Sequence, residues 1–235
     1  MAWNQVLSDR AASPVRAHSP VTAGEWGARI AVSACFLFLA SFSINQIAAL
    51  HILELDLLGW ARLMSSASVV GFLLMIAWLT IVRSAPVARA SGAMPRIAAI
   101  LGTWLFLLGS PFLTRRTDLG APFMLAAASL TLLGEVLTLL FLRWLGRSFS
   151  IVPEAHRLVT TGPYRIVRHP LYAAELLAVI GIVLQFASLE AAALAALQFG
   201  FQIMRMRNEE KVLRTAFPEY ADYMAHTRRI LPGIW

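Results

Sequence analysis

The stretch PFMLAAASLTLLGEVLTLLFL, residues 122–142, decides the class of this protein. It has the length of about 20 residues that a helix needs to cross the hydrocarbon core of a bilayer, and Glu135 is its one charged side chain. Outward from it, three earlier apolar stretches meet or approach the same length: 29–50, 63–82 and 97–113. A later apolar region, 171–204, is long enough for two short helices, with Ser188 placed to cap the second and Glu190 in its first turn. That region reads as a helical hairpin that enters and returns. The expected fold class is all-α: a polytopic transmembrane helical bundle of four spans, followed by a C-terminal helical hairpin and polar cytoplasmic segments.

Composition excludes other classes. Over 235 residues, 58% hydrophobic and 14% charged side chains with a mean hydropathy of +0.67 lie outside the range of soluble domains. The formal charge of +7 does not indicate a nucleic-acid partner, because the bases sit in short runs between apolar stretches and form no single stripe. Cys35 is the lone cysteine, so the chain carries no internal disulfide framework, and no metal site is expected. Residues 1–28, with Pro14 and Pro20, read as an N-terminal tail. The first apolar run starts too late and runs too long for a cleaved signal peptide. The chain thus divides into the tail, a four-helix membrane region at 29–142, and a region at 143–235 that carries the chemistry.

Charge sets the orientation. Arg83, Arg89 and Arg96 occupy the link after the second span with no acid, whereas the link after the first carries Glu54 and Asp56 against Arg62. By the positive-inside rule both termini are cytoplasmic, with Arg115, Arg116 and Asp118 on the outer side. The polar segments 143–169 and 205–235 then share the cytoplasmic face and hold eleven of the twenty bases.

The first polar segment contains HRLVTTGPYRIVRHPLY, residues 156–172. Gly162 before Pro163 suits a chain reversal. His169 is biased to extended backbone by Pro170, which itself suits the first position of a helix, so Arg165, Arg168 and His169 surround a helix entrance able to hold a carboxylate. In the second segment, Glu209 and Glu210 can accept hydrogen bonds from an ammonium group or from ribose hydroxyls. A ligand with both amino-acid charges fits such a pair of segments. Taken singly, each of these residues has a plainer reading as a cap, a headgroup contact or a solvated helix face. Their ordered combination carries the functional one. Glu135 is a structural contact or a lining residue of an acceptor site, since an ionisable group inside a span needs a partner or a cavity.

The run Thr161-Gly-Pro-Tyr-Arg, then Arg168-His-Pro-Leu-Tyr172, the Glu209-Glu210 pair after a hairpin and a final Phe-Pro-Glu-Tyr-x-x-Tyr stretch resemble the C-terminal signature of isoprenylcysteine carboxyl methyltransferases and related phospholipid methyltransferases. The resemblance covers roughly 145–232. It implies an integral membrane enzyme that uses S-adenosylmethionine, without the soluble Rossmann fold, so that 143–235 becomes a catalytic region with cofactor-binding segments. The implied cofactor-binding residues are His156, Leu158, Val159, Gly162, Tyr164, Arg168, His169, Pro170, Tyr172, Glu209 and Glu210. Methyl transfer to a carboxylate needs alignment and exclusion of water but no base. Arg205 or Arg207, beside the Glu pair, is the expected residue for orienting an anionic acceptor, and Glu210 or His169 would serve as base for an amine or phenol. The expected partners are membrane lipids and a lipophilic or small-molecule acceptor, and the expected location is a bacterial inner membrane. The enzymatic rival is an NADPH-dependent membrane sterol-type reductase, which shows a similar Arg-His-Pro-x-Tyr followed by an acid, here Glu175. Such reductases typically carry Asn where this chain has Leu171.

Overall fold

The computed structural model describes residues 22–48, 55–114, 116 and 118–233. Residues 1–21 of the expected tail, Glu54 and Arg115 lie outside them, as does the side chain of Arg62. The described chain is mostly helical: α1 (Ala23–Ala48), α2 (Leu57–Val82), α3 (Met94–Gly109), α4 (Ala121–Leu145), α5 (Pro170–Phe186), α6 (Leu189–Ala216) and α7 (Tyr220–His226). Two strands of two residues each, β1 (Ala88–Arg89) and β2 (Glu154–Ala155), complete it.

Helix starts follow local capping chemistry. α1 begins within the stretch read as tail, because Thr22 and Glu25 form a reciprocal capping box: Thr22 N–H donates to Glu25 Oε2 at 3.2 Å and Glu25 N–H to Thr22 Oγ1 at 3.3 Å. Asp56 caps α2 by accepting from Gly59 N–H at 2.7 Å, which starts that helix six residues ahead of the apolar run at 63. Ser188 accepts from Ala191 N–H at 3.1 Å at the start of α6. Ala187 turns the chain between α5 and α6 in the left-handed region, φ 48°.

Among the described residues, two stretches are long and apolar enough to cross a membrane, 23–45 and 121–148, while 66–82, 94–106 and 170–186 are shorter apolar helices. α1 and α2 run antiparallel. The buried Arg29 guanidinium donates to Ile81 O and Arg83 O at 3.2 and 2.8 Å, satisfying carbonyls that the end of α2 leaves free, and Ser33 Oγ donates to Ala77 O. α4 and α5 approach closely through small residues. A Cβ at Gly134 would stand 2.8 Å from Ala174 O and one at Gly181 would stand 2.8 Å from Ala127 O, so only glycine permits the crossing. α6 turns Gln198, Gln202 and Arg205 inward on one face, with Gln202 donating to Glu175 at 2.8 Å. A core of Phe36, Leu73, Ile76, Leu142, Tyr172 and Met206 joins these layers.

The link 83–93, expected as a basic loop, instead docks on the first polar segment. Ala88 pairs with Ala155 and Arg89 with Glu154 in an antiparallel ribbon, extended by Val87 N–H to Ala155 O at 2.7 Å and Ala90 N–H to Pro153 O at 3.0 Å. Strands this short have no periodicity to read in a sequence. They exist because the two links meet.

Candidate functional site

The pocket lies where the two polar segments and the C-terminal tail converge. One wall is Phe149, Ser150, Val152 and Glu154, ending in the ribbon. The second is His156, Leu158, Val159, Tyr164, Arg168, His169, Leu171 and Tyr172. The third comes from α6 and α7 through Glu209, Leu213, Tyr220 and Tyr223.

The local geometry of 156–172 follows from its turn residues. Gly162 has φ +59°, and a Cβ there would overlap the indole of Trp144, so the Gly-Pro turn lies flat against the end of α4. The chain then forms one 3-10 turn, Gly162–Arg165, which buries Tyr164. Pro170 opens α5 one residue after His169. The His169 ring stacks on Tyr172 with centroids 5.4 Å apart.

The adjacent acids do different things. Glu209 lines the pocket, accepts a hydrogen bond from the Tyr172 hydroxyl and pairs with Arg205 at 3.1 Å. Glu210 lies behind the wall, held by Arg168 Nε at 2.9 Å, His169 Nε2 at 3.2 Å and Arg229 through both carboxylate oxygens. Burial alone would raise its pKa, but hydrogen bonds from His169 and Arg229, the His169 charge and Arg168 carry the carboxyl well below its ordinary range. A carboxylate so depressed is a weak base, and the geometry makes it a clamp. Burial pushes the Tyr223 phenol up to about 12 and raises Tyr164 and Tyr220 further, so all three are neutral at ordinary pH.

Arg205 is buried beneath the pocket, stacked on the Tyr172 ring at 4.8 Å and hydrogen-bonded to Glu209 and Thr103. Neither arginine lines the pocket, but Arg207 is exposed whereas Arg205 is buried against the lining residues Tyr172 and Glu209, so the structure separates the two arginines that the sequence offers together. Gly162 and Pro170 shape the walls without lining them, and Arg165 is exposed.

Three contributors escape a reading of the sequence. Glu154 accepts from Arg83 and Ser150, at 3.0 and 2.9 Å, and pairs with Arg89 at 3.2 Å. Burial opposes its ionisation, but His156, Arg83 and Ser150 outweigh it and leave the carboxyl below its ordinary value. Tyr220 and Tyr223 wall the pocket from the tail, whose near-helical spacing of apolar residues suggests a segment lying along the membrane surface or covering the polar segments. Their signal was the aromatic pair itself, Tyr-x-x-Tyr, which repeats on one side of a helix.

His156 bears most directly on a ligand. Its side chain is fully buried and lines the pocket, Nε2 stands 3.4 Å from Glu154 Oε2 at an angle that makes no hydrogen bond, and Nδ1 has no partner among the described residues. Buried polar atoms are almost always satisfied, so such nitrogens beside a cavity fit a ligand carrying polar groups. Glu209, Arg168 and His156 together offer acceptors and donors for a zwitterionic, ribose-bearing molecule, which fits S-adenosylmethionine in kind.

Residues 122–220 match the phospholipid methyltransferase family. A cobalt-zinc-cadmium resistance protein, CzcN, of Cupriavidus metallidurans is 40% identical over 78 residues, 33% of this chain and 36% of that protein. A nickel-cobalt-cadmium resistance protein, NccN, of Alcaligenes xylosoxydans xylosoxydans is 35% identical over 82 residues, 34% of this chain and 38% of its own length. Protein-S-isoprenylcysteine O-methyltransferase B of Arabidopsis thaliana is 30% identical over 112 residues, 45% of this chain and 56% of that enzyme. The chain therefore spans between about a third and three fifths of the length of these curated relatives. The matched region contains the glycine crossing of α4 and α5, the 156–172 motif and the Glu209-Glu210 pair of α6, so the likeness to the phospholipid methyltransferase family and to the isoprenylcysteine O-methyltransferases rests on the segments that build the pocket.

Proposed function

We propose that the protein is an integral membrane methyltransferase that uses S-adenosylmethionine and acts on a lipophilic or small acceptor at the membrane–cytosol interface, with methyl ester formation on a carboxylate as the favoured chemistry. The observation that carries this reading is the convergence of the 156–172 motif and Glu209 on one pocket lined by buried His156, whose Nδ1 has no hydrogen-bond partner among the described residues. Four spans with both termini cytoplasmic are part of the same proposal, supported by four helices at the four apolar stretches and by the basic 83–96 link meeting the pocket-forming segment.

The cofactor, when bound, supplies an electrophilic methyl group on a sulfonium. The chain's own residues bind, orient and exclude water. His156, Arg168 and Glu209 provide the polar contacts, and Phe149, Leu158, Val159, Tyr220 and Tyr223 provide apolar and aromatic walls that dry the site. Arg205 is the residue next to an anionic acceptor, because it alone of the two arginines lies under the pocket and already fixes Glu209. With a carboxylate nucleophile no proton moves, and positioning is the main contribution.

Calorimetric titration of the detergent-purified protein with S-adenosylhomocysteine and, separately, NADPH tests the reading. Binding of the homocysteine compound that is lost in a His156→Ala, Glu209→Ala double variant is expected. Binding of NADPH alone would overturn it in favour of a reductase.

A further inference from the structure

The tail after α7 is bonded into the motif more tightly than a surface segment needs to be. Residues 167 and 228 form a parallel bridge, Arg168 N–H donates to Arg228 O at 2.7 Å, and His169 N–H donates to Arg229 O at 2.8 Å. The Arg229 guanidinium then reaches past this backbone to Glu210, with Nη2 to Oε2 at 2.9 Å and Nε to Oε1 at 3.1 Å, a fork geometry that fixes the carboxylate's plane. Glu210 Oε1 in turn meets His169 Nε2 at 3.2 Å and Arg168 Nε at 2.9 Å. Arg229 therefore holds His169 twice, by its backbone and through Glu210, and reaches Arg168 through Glu210, and both of these residues line the pocket that Arg229 itself does not line.

We propose that Arg229 is a positioning residue, which holds Glu210 so that Glu210 sets the orientation of the His169 and Arg168 side chains toward the bound cofactor. Nothing in the sequence motif includes it. The inference rests on the pocket being the cofactor site. Removing Arg229 leaves Glu210 paired with Arg168, so no bare charge is buried and the chain is expected to fold. What is lost is the fixed plane of the carboxylate, and with it the orientation of the imidazole, an effect that orienting partners exert on the ligands they support.

The experiment compares the full-length wild type with Arg229→Gln, Arg229→Lys and Arg228→Gln in detergent. Arg228 is an exposed neighbour that contributes to the bridge only through its backbone. Two readouts are taken: hydrogen exchange of the Arg168 and His169 amides in the free protein, and the dissociation constant of S-adenosylhomocysteine. In Arg229→Gln both amides are expected to exchange faster and binding to weaken about tenfold, on the scale of losing an orienting partner. Arg229→Lys, which keeps the charge but not the fork, should fall between, and Arg228→Gln should match the wild type. Wild-type exchange and affinity in Arg229→Gln would overturn the proposal, as would an equal loss in Arg228→Gln. Should Arg229→Gln fail to fold, Arg229→Lys decides on the same readouts. A wild type that binds no S-adenosylhomocysteine sinks the cofactor reading instead, while the exchange comparison still decides whether Arg229 holds the motif.

Discussion

Glu209 and Glu210 are neighbours in the chain, yet successive residues on a helix point about 100° apart, and that angle gives them separate tasks. Glu209 turns to the pocket and Tyr172, whereas Glu210 turns to Arg168, His169 and Arg229. Glu209→Gln should therefore weaken S-adenosylhomocysteine binding with little change in melting temperature. Glu210→Gln should destabilise the fold by about 3–5 kcal/mol, the scale for breaking a buried pair, which thermal melting will show. The Glu210 carboxyl is depressed below its ordinary value of 4.5, so its contribution is fully present above that pH and is lost as pH falls toward the folded value. Melting temperature should accordingly fall from about pH 4.5 downward in the wild type, and Glu210→Gln should show less of that dependence. At Gly162, alanine meets both a left-handed backbone and the Trp144 ring. A loss of about 2–4 kcal/mol is expected from the two effects together, measured by the same melting experiment.

Among the elements, helix termini were partly legible in advance and helix crossings were not. Ser188 could be placed as a cap because a Ser before an acid and an apolar run has one local meaning, whereas Thr22 and Glu25 sat in a stretch dominated by prolines and charge. Asp56 could be read as a loop acid bearing on orientation, and in the fold it caps α2. Asp56→Ala should cost about 0.5–2 kcal/mol and Asp56→Asn much less, since Asn caps equally well. The α4–α5 crossing depends on Gly134 and Gly181 meeting Ala174, Ala178, Thr131 and Ala127 across the interface. Gly134→Ala should separate the two helices and reduce stability by more than about 1–3 kcal/mol, because the atoms it would meet are backbone and have no rotamer to give.

For the whole molecule, the basic link on which the proposed orientation rests also supports the pocket. Arg83 and Arg89 bind Glu154, whose ribbon forms one wall of the pocket, and Arg89 also reaches Glu25 on α1. The front half of the chain thus supports the C-terminal half from outside the matched region 122–220. An isolated C-terminal piece beginning at 121 should therefore bind S-adenosylhomocysteine more weakly than the full chain, and adding Arg83→Gln with Arg89→Gln to the full chain should reproduce part of that loss. The proposed topology places C-terminal reporter activity on the cytoplasmic side, and a reporter active only on the outer side would reverse it.

The sequence by itself determined that the chain is helical and apolar, where its polar segments lie, and which motif carries the family resemblance, because apolar run length and Gly, Pro and charge placement act over short distances. It did not determine which of two adjacent acids faces the pocket, that Glu154 and two tail tyrosines line it, or that Arg229 pairs with Glu210. Those depend on contacts between segments that lie far apart in the chain, such as Arg83 with Glu154 and Arg168 with Glu210. Only the packing of α4 on α5 and of the tail on α6 brings such groups within hydrogen-bonding distance, and no local pattern encodes that meeting.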